Sequence, residues 1–506
     1  MMKTKRIQVK NNTFLPVSKV DMINRGWDEV DFVYVSGDAY VDHPSFGVSI
    51  ITRVLENAGY KVGIISQPDW RNTESFKVFG KPRLGFMVSS GNIDSMVAHY
   101  TVAKKKRSTD AYSPGGKMGL RPDRAVIVYC KKIREIYGDV PIIIGGLEAS
   151  LRRFAHYDYW DDAIRPSILF DSGADLISFG MGEKQTVEIA NRLNKGEDIK
   201  SLTNIKGTCY AVPVTETPYK GVECPSFENV IASKKEYAIS CRIQQDEQDH
   251  IRGKVIKQRH GKMMLVQNEP MEPLTTQELD KVYSLPFMRT YHPIYEKDGG
   301  VPGIIEVEFS ITHNRGCFGA CNFCSIAFHQ GRYITSRSKE SILNEVKAIV
   351  NMPDFKGYIS DLGGPSANMY AMQGRNTNIC HKCKRPSCIH PQICPNLNTD
   401  HGPLLEIYHE VDKIKGIKKS FIGSGVRYDL LLHESENQQI NRNNKQYTQE
   451  LIAKHVSGRL KVAPEHTSDE VLNLMRKPSF EQFFEFKKIF EQINEKHNLR
   501  QQIIPY

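Results

Sequence analysis

Three features of the 506-residue sequence predict an α/β chain built in two parts. From residue 31 to about residue 196, short apolar runs alternate with segments of helical period. That rhythm is the one of a doubly wound parallel sheet of Rossmann-like type. From residue 302 a second series of strand and helix segments follows, with a polar landmark just after each strand. This predicts a partial (β/α) barrel of TIM type, whose strand carboxyl ends carry chemistry. The third feature is NRGCFGACNFCSIAF, residues 314–328, which puts Cys317, Cys321 and Cys324 at spacings of four and three. Three thiolates in one loop converge on a metal centre. Structural zinc takes four protein ligands. A set of three therefore favours an iron-sulfur cluster with one uncovered iron over a zinc knuckle or three unrelated buried thiols.

Composition fits this outline. Apolar residues make up 40% and charged residues 25%, ordinary for a globular chain long enough for two or three domains. No run approaches the ~20 apolar residues of a membrane span, and the start MMKTKRIQVKNN lacks the apolar block of a signal peptide. A cytoplasmic protein without membrane contact is expected. Its eleven cysteines then point to metal ligation rather than disulfides, and seven of them fall between Cys317 and Cys394. The net charge of +10 is compatible with a nucleic-acid partner. The alternative reading is accordingly a nucleic-acid-binding metalloprotein with structural iron-sulfur or zinc sites. Against it, no basic stripe is interleaved with aromatics, and tracts such as residues 104–107 and 254–262 read as solvated faces.

In order along the chain, strands are expected at residues 31–36, 61–66, 84–89, 141–144 and 175–179, with a helix over 46–58 facing inward through Val48, Ile51, Val54 and Leu55. Residues 102–122 read as a mobile insertion. Gly145 and Gly146, followed by Glu148, Arg152 and Arg153, stand where either an anionic ligand or a tight turn is accommodated. The first domain is set at 1–205. A connecting segment over 206–300 shows no sustained period. A third part, 301–506, carries strands at 306–312, 357–362, 419–423, 459–463 and 501–504. Ser338 caps a helix with Ile342, Val346 and Ile349 on one face, and Phe480 opens a helix rich in phenylalanine. An insertion at 375–400 holds Cys380, Cys383, Cys388 and Cys394, with His381 and His390 between them, a set for zinc or a second iron-sulfur cluster.

At the three-cysteine loop the sequence resembles the radical S-adenosylmethionine (SAM) enzymes, which show a cysteine, three residues, a cysteine, and an aromatic just before the third cysteine, here Phe323. The resemblance implies a 4Fe-4S cluster on Cys317, Cys321 and Cys324, with SAM on the open iron. It also implies reductive cleavage of SAM to a 5'-deoxyadenosyl radical, an unidentified substrate, and a reducing partner such as flavodoxin or ferredoxin. The family's Gly-Gly-Glu signature reads Gly363, Gly364, Pro365, so the SAM ammonium is expected on Asp361 or a carbonyl. Phe323, Gly363, Gly364, Ser424 and Glu465 form the expected cofactor-binding set. LPFMRTYHP, SDLGGPSANMY, SGVRYDLLL and VAPEHTS together are similar to the YgiQ-type radical SAM proteins. The first domain resembles, in fold, the cobalamin-binding-like domain of several such enzymes. A base-off cobalamin site needs Asp, any residue, His, two residues, Gly, whereas Asp42 and His43 are adjacent here and Gly47 follows four positions later. Cobalamin is therefore not predicted. Since a radical SAM core normally continues past a fifth strand, the chain, ending at Tyr506, is expected to be an incomplete version of its architecture.

Overall fold

The computed structural model describes residues 14–506; the N-terminal stretch examined for a signal peptide lies outside the described residues. The chain divides into two compact units, one of Met1–Gln244, Lys254–Met271 and Leu285–Ile304, the other of Gln245–Gly253, Glu272–Ser284 and Ile305–Tyr506. No described helix is long and apolar enough to cross a membrane.

The first unit is organised on a nine-stranded sheet. Its parallel portion contains β1 (Phe32–Ser36), β2 (Val62–Ser66), β3 (Gly85–Ser89), β4 (Ile142–Ile144) and β5 (Leu176–Ser178), in the order β2-β1-β3-β4-β5. Every residue of β1, β3, β4 and β5 is buried. Continuous apolar runs of this kind belong to strands covered on both faces. With this order the winding reverses between β1 and β3, so their carboxyl ends flank the switch-point crevice.

Residues 206–300, expected as a connecting segment, instead supply four strands of the same sheet: β6 (Thr208–Pro213), β7 (Val222–Cys224), β8 (Ile256–His260) and β9 (Met263–Gln267). The β5–β6, β6–β9 and β9–β8 pairs are antiparallel, so the sheet is mixed rather than parallel throughout. The period was hidden because polar side chains occupy buried strand positions. Gln267 accepts from Arg153 Nε at 2.5 Å, and Gln258 accepts from the Ala155 N–H at 2.8 Å.

The helix Gly47–Asn57 buries Val48 and Leu55 of the apolar residues expected inside but turns polar side chains inward beside them. Ser49 and Arg53 are inside while Ile51 and Val54 are half-buried, because the Arg53 guanidinium is ion-paired with buried Asp42 and the Ser49 hydroxyl donates to the Val41 carbonyl. In the insertion read as mobile, residues 102–109 are exposed, while Asp110, Ser113 and Arg121 are buried.

The second unit has three short parallel ladders. They pair β10 (Ser310–Thr312) with β12 (Asp361–Gly363), β11 (Tyr358–Ile359) with β13 (Lys419–Ser420), and β14 (Arg459–Val462) with β15 (Gln502–Pro505). Leu362 N–H donates to Phe421 O at 2.8 Å, beside the first two ladders, and Ile422 N–H donates to His455 O at 2.9 Å, at the end of the helical turn that precedes β14. Ser338 caps the helix Lys339–Val350, its hydroxyl accepting from the Ser341 N–H at 3.1 Å, and Ile342, Val346 and Ile349 are buried. The helix Phe480–Lys496 buries Phe483, Phe486 and Phe490 against Tyr428 and the strands and leaves Phe484 outside. Each fully buried phenylalanine contributes roughly 1.5–3 kcal/mol of transfer free energy.

Candidate cluster and cofactor site

The cysteine loop leaves the carboxyl end of β10 and closes on itself. Asn314–Arg315 pairs antiparallel with Thr335–Ser336, and the Cys317 N–H donates to Gly331 O at 3.1 Å. Gly316 has φ 86, and a Cβ there would stand 2.1 Å from Tyr333 O, so only glycine fits. Arg427 Nη1 reaches Cys321 Sγ at 3.6 Å. Burial pushes the Cys317 and Cys324 thiols up, a rise that the neighbouring Gly319 and Ile326 amides partly oppose. All three cysteines are outside disulfides. Among the described residues, no three His, Cys, Asp or Glu side chains already form a closed coordination set; grip on a cluster would come through rotation about the single χ1 of each cysteine.

Arg427 is the site residue that the sequence reading missed, although it stands within SGVRYD. Its Nε donates to Asp429 at 2.9 Å and its Nη2 holds the same carboxylate. Its backbone is clamped from both sides by Asn368, which accepts from the Arg427 N–H at 2.7 Å and donates to the Arg427 carbonyl at 3.0 Å. SDLGGPSANMY and SGVRYDLLL thus interlock, and their joint product is a cation at the cysteine loop.

The predicted cofactor residues fall in two places. Gly363, Ser424 and Asp361 meet at the ends of β12 and β13: a Cβ on Gly363 would lie 2.5 Å from Ser424 Oγ, and one on Gly364 would lie 2.5 Å from Asn314 Oδ1. The Asp361 carboxylate accepts from the Gly423 N–H at 2.8 Å, the Ser424 N–H at 3.1 Å and the Ser424 hydroxyl. Three of its roughly four acceptor positions are thereby used. Glu465 follows β14 with φ 73, its N–H on Tyr506 O at 2.9 Å and its carboxylate 3.8 Å from Lys477 Nζ. Burial lowers the Lys477 pKa, and its charge also acts on Cys321. Phe323 is 52% exposed and joins no apolar cluster. A cavity of about 700 Å³, lined by Asp429, His433, Lys477, Asn473 and His390, opens beside this region.

In the first unit the switch-point crevice is filled by the chain itself. A Cβ on Gly37 would stand 2.1 Å from Ser90 O, and one on Gly91 would stand 2.0 Å from the Asp38 carboxylate. Arg121, fully buried, bonds Asp38 at 2.9 Å, Asp110 at 3.0 Å and Ser90 O at 2.7 Å. Burial pushes Asp38 up to about 6, a rise that Arg121 only partly offsets. The Glu148, Arg152 and Arg153 group is also internally committed: Glu148 accepts from Ser95 Oγ at 2.6 Å, Arg152 pairs with Asp94 at 2.8 Å, and Arg153 packs over Phe179 at 4.9 Å.

A mixed α/β sheet followed by parallel strands whose first loop carries three cysteines defines a radical SAM enzyme, and the family model described as Radical SAM N-terminal matches residues 14–310. A UPF0313 protein of Clostridium botulinum (strain Loch Maree) is 53% identical over 498 residues, covering 98% of this chain and 76% of its own. A UPF0313 protein of Bacteroides thetaiotaomicron is 53% identical over 507 residues, covering 97% of this chain and 82% of its own. The chain belongs to the UPF0313 family of radical SAM proteins. Among solved structures, the cobalamin-dependent S-adenosylmethionine radical enzyme OxsB, with aqua-cobalamin bound, shares the fold at a TM-score of 0.51 and 12% identity, over 96% of this chain and 50% of that one.

Proposed function

We propose that Cys317, Cys321 and Cys324 hold a 4Fe-4S cluster in a partial (β/α) barrel, and that SAM binds beside it against Gly363, Gly364, Ser424 and Glu465, with Phe323 at the rim. The observation that carries this reading is the loop of three cysteines outside disulfides at a strand's carboxyl end, with the Arg427 guanidinium on Cys321 Sγ. Such a cluster, when bound with SAM, supplies the electron that cleaves a sulfonium C–S bond and so gives a 5'-deoxyadenosyl radical for an unidentified substrate.

The chain's own residues prepare that chemistry. Arg427 puts a fixed positive charge beside Cys321, which offsets negative charge gained on reduction. Gly363 and Gly364 allow backbone carbonyls to approach an ammonium group closely. Asp361 shapes the Ser424 turn rather than offering an open carboxylate. The electron comes from a one-electron donor of flavodoxin or ferredoxin type.

Cobalamin is outside the reading. The crevice that would take it is occupied by Arg121 and its two carboxylates, and Asp42 is committed to Arg53. The test is electron paramagnetic resonance of the anaerobically reconstituted, dithionite-reduced protein. A signal that changes on adding SAM supports the site, and a signal indifferent to saturating SAM sinks it.

A further inference from the structure

The insertion after Gly374 has a built interior. Its root is zipped shut: Arg375 N–H donates to Asn396 O at 2.7 Å, Asn398 N–H to Gln373 O at 2.8 Å, and Asn376 N–H to Asn396 Oδ1 at 2.9 Å. Inside it, backbone bonds bring the cysteines together in pairs, with the Cys383 N–H on Cys380 O at 3.1 Å and the Cys394 N–H on Cys388 O at 2.8 Å. Arg385 ties the halves together by donating to the carbonyls of His390 at 3.1 Å and Gln392 at 2.7 Å.

Two of these sulfurs receive N–H donors. The Arg385 amide, two residues on, points at Cys383 Sγ at 3.4 Å, and Asn396 Nδ2 points at Cys380 Sγ at 3.3 Å. The insertion also docks on the cysteine loop: the Cys388 N–H and the Ser387 hydroxyl both donate to Phe318 O, at 3.1 Å and 3.3 Å. Cys317, Cys388 and Cys394 pack on one apolar cluster around Phe318 and Ile389.

From this geometry we infer that Cys380, Cys383, Cys388 and Cys394 form a second, tetrathiolate metal site for a thiophilic centre, either a zinc ion or an iron-sulfur cluster, which clasps the insertion against the Phe318 side of the cysteine loop. A tetrahedral set of four sulfurs is the chemistry common to both. Binding would gather the four side chains by χ1 rotation while the backbone pairs stay in place.

The site is tested apart from the first by working in a Cys317→Ala/Cys321→Ala/Cys324→Ala background of the full chain. Anaerobically purified protein is assayed for zinc, iron and sulfide, then stripped and titrated with Co(II). About one zinc per chain, or iron with matching sulfide, together with the thiolate charge-transfer band of tetrahedral Co(II), is the expected result; the elemental ratio tells the ion from the cluster. Adding Cys380→Ser/Cys383→Ser should abolish both, whereas Cys130→Ser should change neither. In the otherwise native chain, Cys380→Ser/Cys383→Ser should also speed the loss of the remaining iron to a chelator several-fold. Circular dichroism establishes that the variants fold. A folded protein carrying no metal, or one whose metal survives Cys380→Ser/Cys383→Ser, overturns the inference.

Discussion

Arg427 Nη1 stands 3.6 Å from Cys321 Sγ while the other face of the same guanidinium holds Asp429. Asp429 fixes the plane of the fork, and the Asn368 clamp fixes its backbone, so the cation meets the sulfur without a search through rotamers. Charge-assisted hydrogen bonds contribute roughly 1.5–3 kcal/mol, or about ten- to a hundredfold in an equilibrium.

Arg427→Met should therefore lower the reduction potential of the reconstituted cluster and reduce the SAM cleavage rate by about tenfold or more. Arg427→Lys should recover part of both, since it restores the charge without the fork. Potentiometric titration and product analysis check this, and an unchanged potential in Arg427→Met would remove the role assigned to the guanidinium.

Asp361→Ala should separate cofactor binding from cluster assembly. It leaves the Gly423 and Ser424 amides and the Ser424 hydroxyl without their acceptor and loosens the turn that faces Gly363. SAM affinity, measured anaerobically by calorimetry, should weaken about tenfold with iron content unchanged. Loss of iron in step with affinity would show Asp361 to be a framework residue only.

The Asp38–Arg121–Asp110 group gives a pH signature. Because the folded protein holds Asp38 up to about 6, from an ordinary 3.8, folding favours the protonated carboxyl. The stabilisation is fully present below about pH 4 and is lost as pH rises through about 6. Asp38→Asn, which cannot titrate, should then compare best with wild type at high pH. The melting temperature of wild type minus that of the variant should be largest near pH 4 and shrink by pH 7. A difference that grows with pH would contradict the direction.

In the second unit, Ser338→Ala removes the cap hydroxyl that accepts from the Ser341 N–H and should cost about 1 kcal/mol. Phe486→Ala empties a fully buried position and should cost roughly 3–5 kcal/mol. Urea unfolding measures both, and equal losses would mean that the helix Phe480–Lys496 is not the packed element described.

The sequence made legible whatever rested on period and spacing. The five parallel strands fall within a residue or two of their expected bounds, and Ser338 caps its helix as read, because apolar runs and caps are local signals. The strands after residue 206 were not legible, since buried Gln258 and Gln267 interrupt the apolar pattern with side chains that bond groups far along the chain, Ala155 and Arg153 among them. The buried Arg53 was missed because its partner Asp42 lies outside the helix, eleven residues earlier. At the site, the cysteine spacing singled out the ligands proposed above, but nothing local showed that Arg427 would be carried to Cys321, which takes Asn368 and the fold between them. Phe323 was chosen by motif and stands at the surface, where no packing singles it out.

The central claim is tested most directly by incubating the anaerobically reconstituted chain with SAM and dithionite and analysing the products. The account predicts 5'-deoxyadenosine and methionine in equal amounts, from the wild-type chain and from Cys380→Ser/Cys383→Ser alike, and none from Cys321→Ala. Intact SAM after prolonged incubation with a fully loaded and reduced wild-type cluster, or equal cleavage by Cys321→Ala, would contradict it.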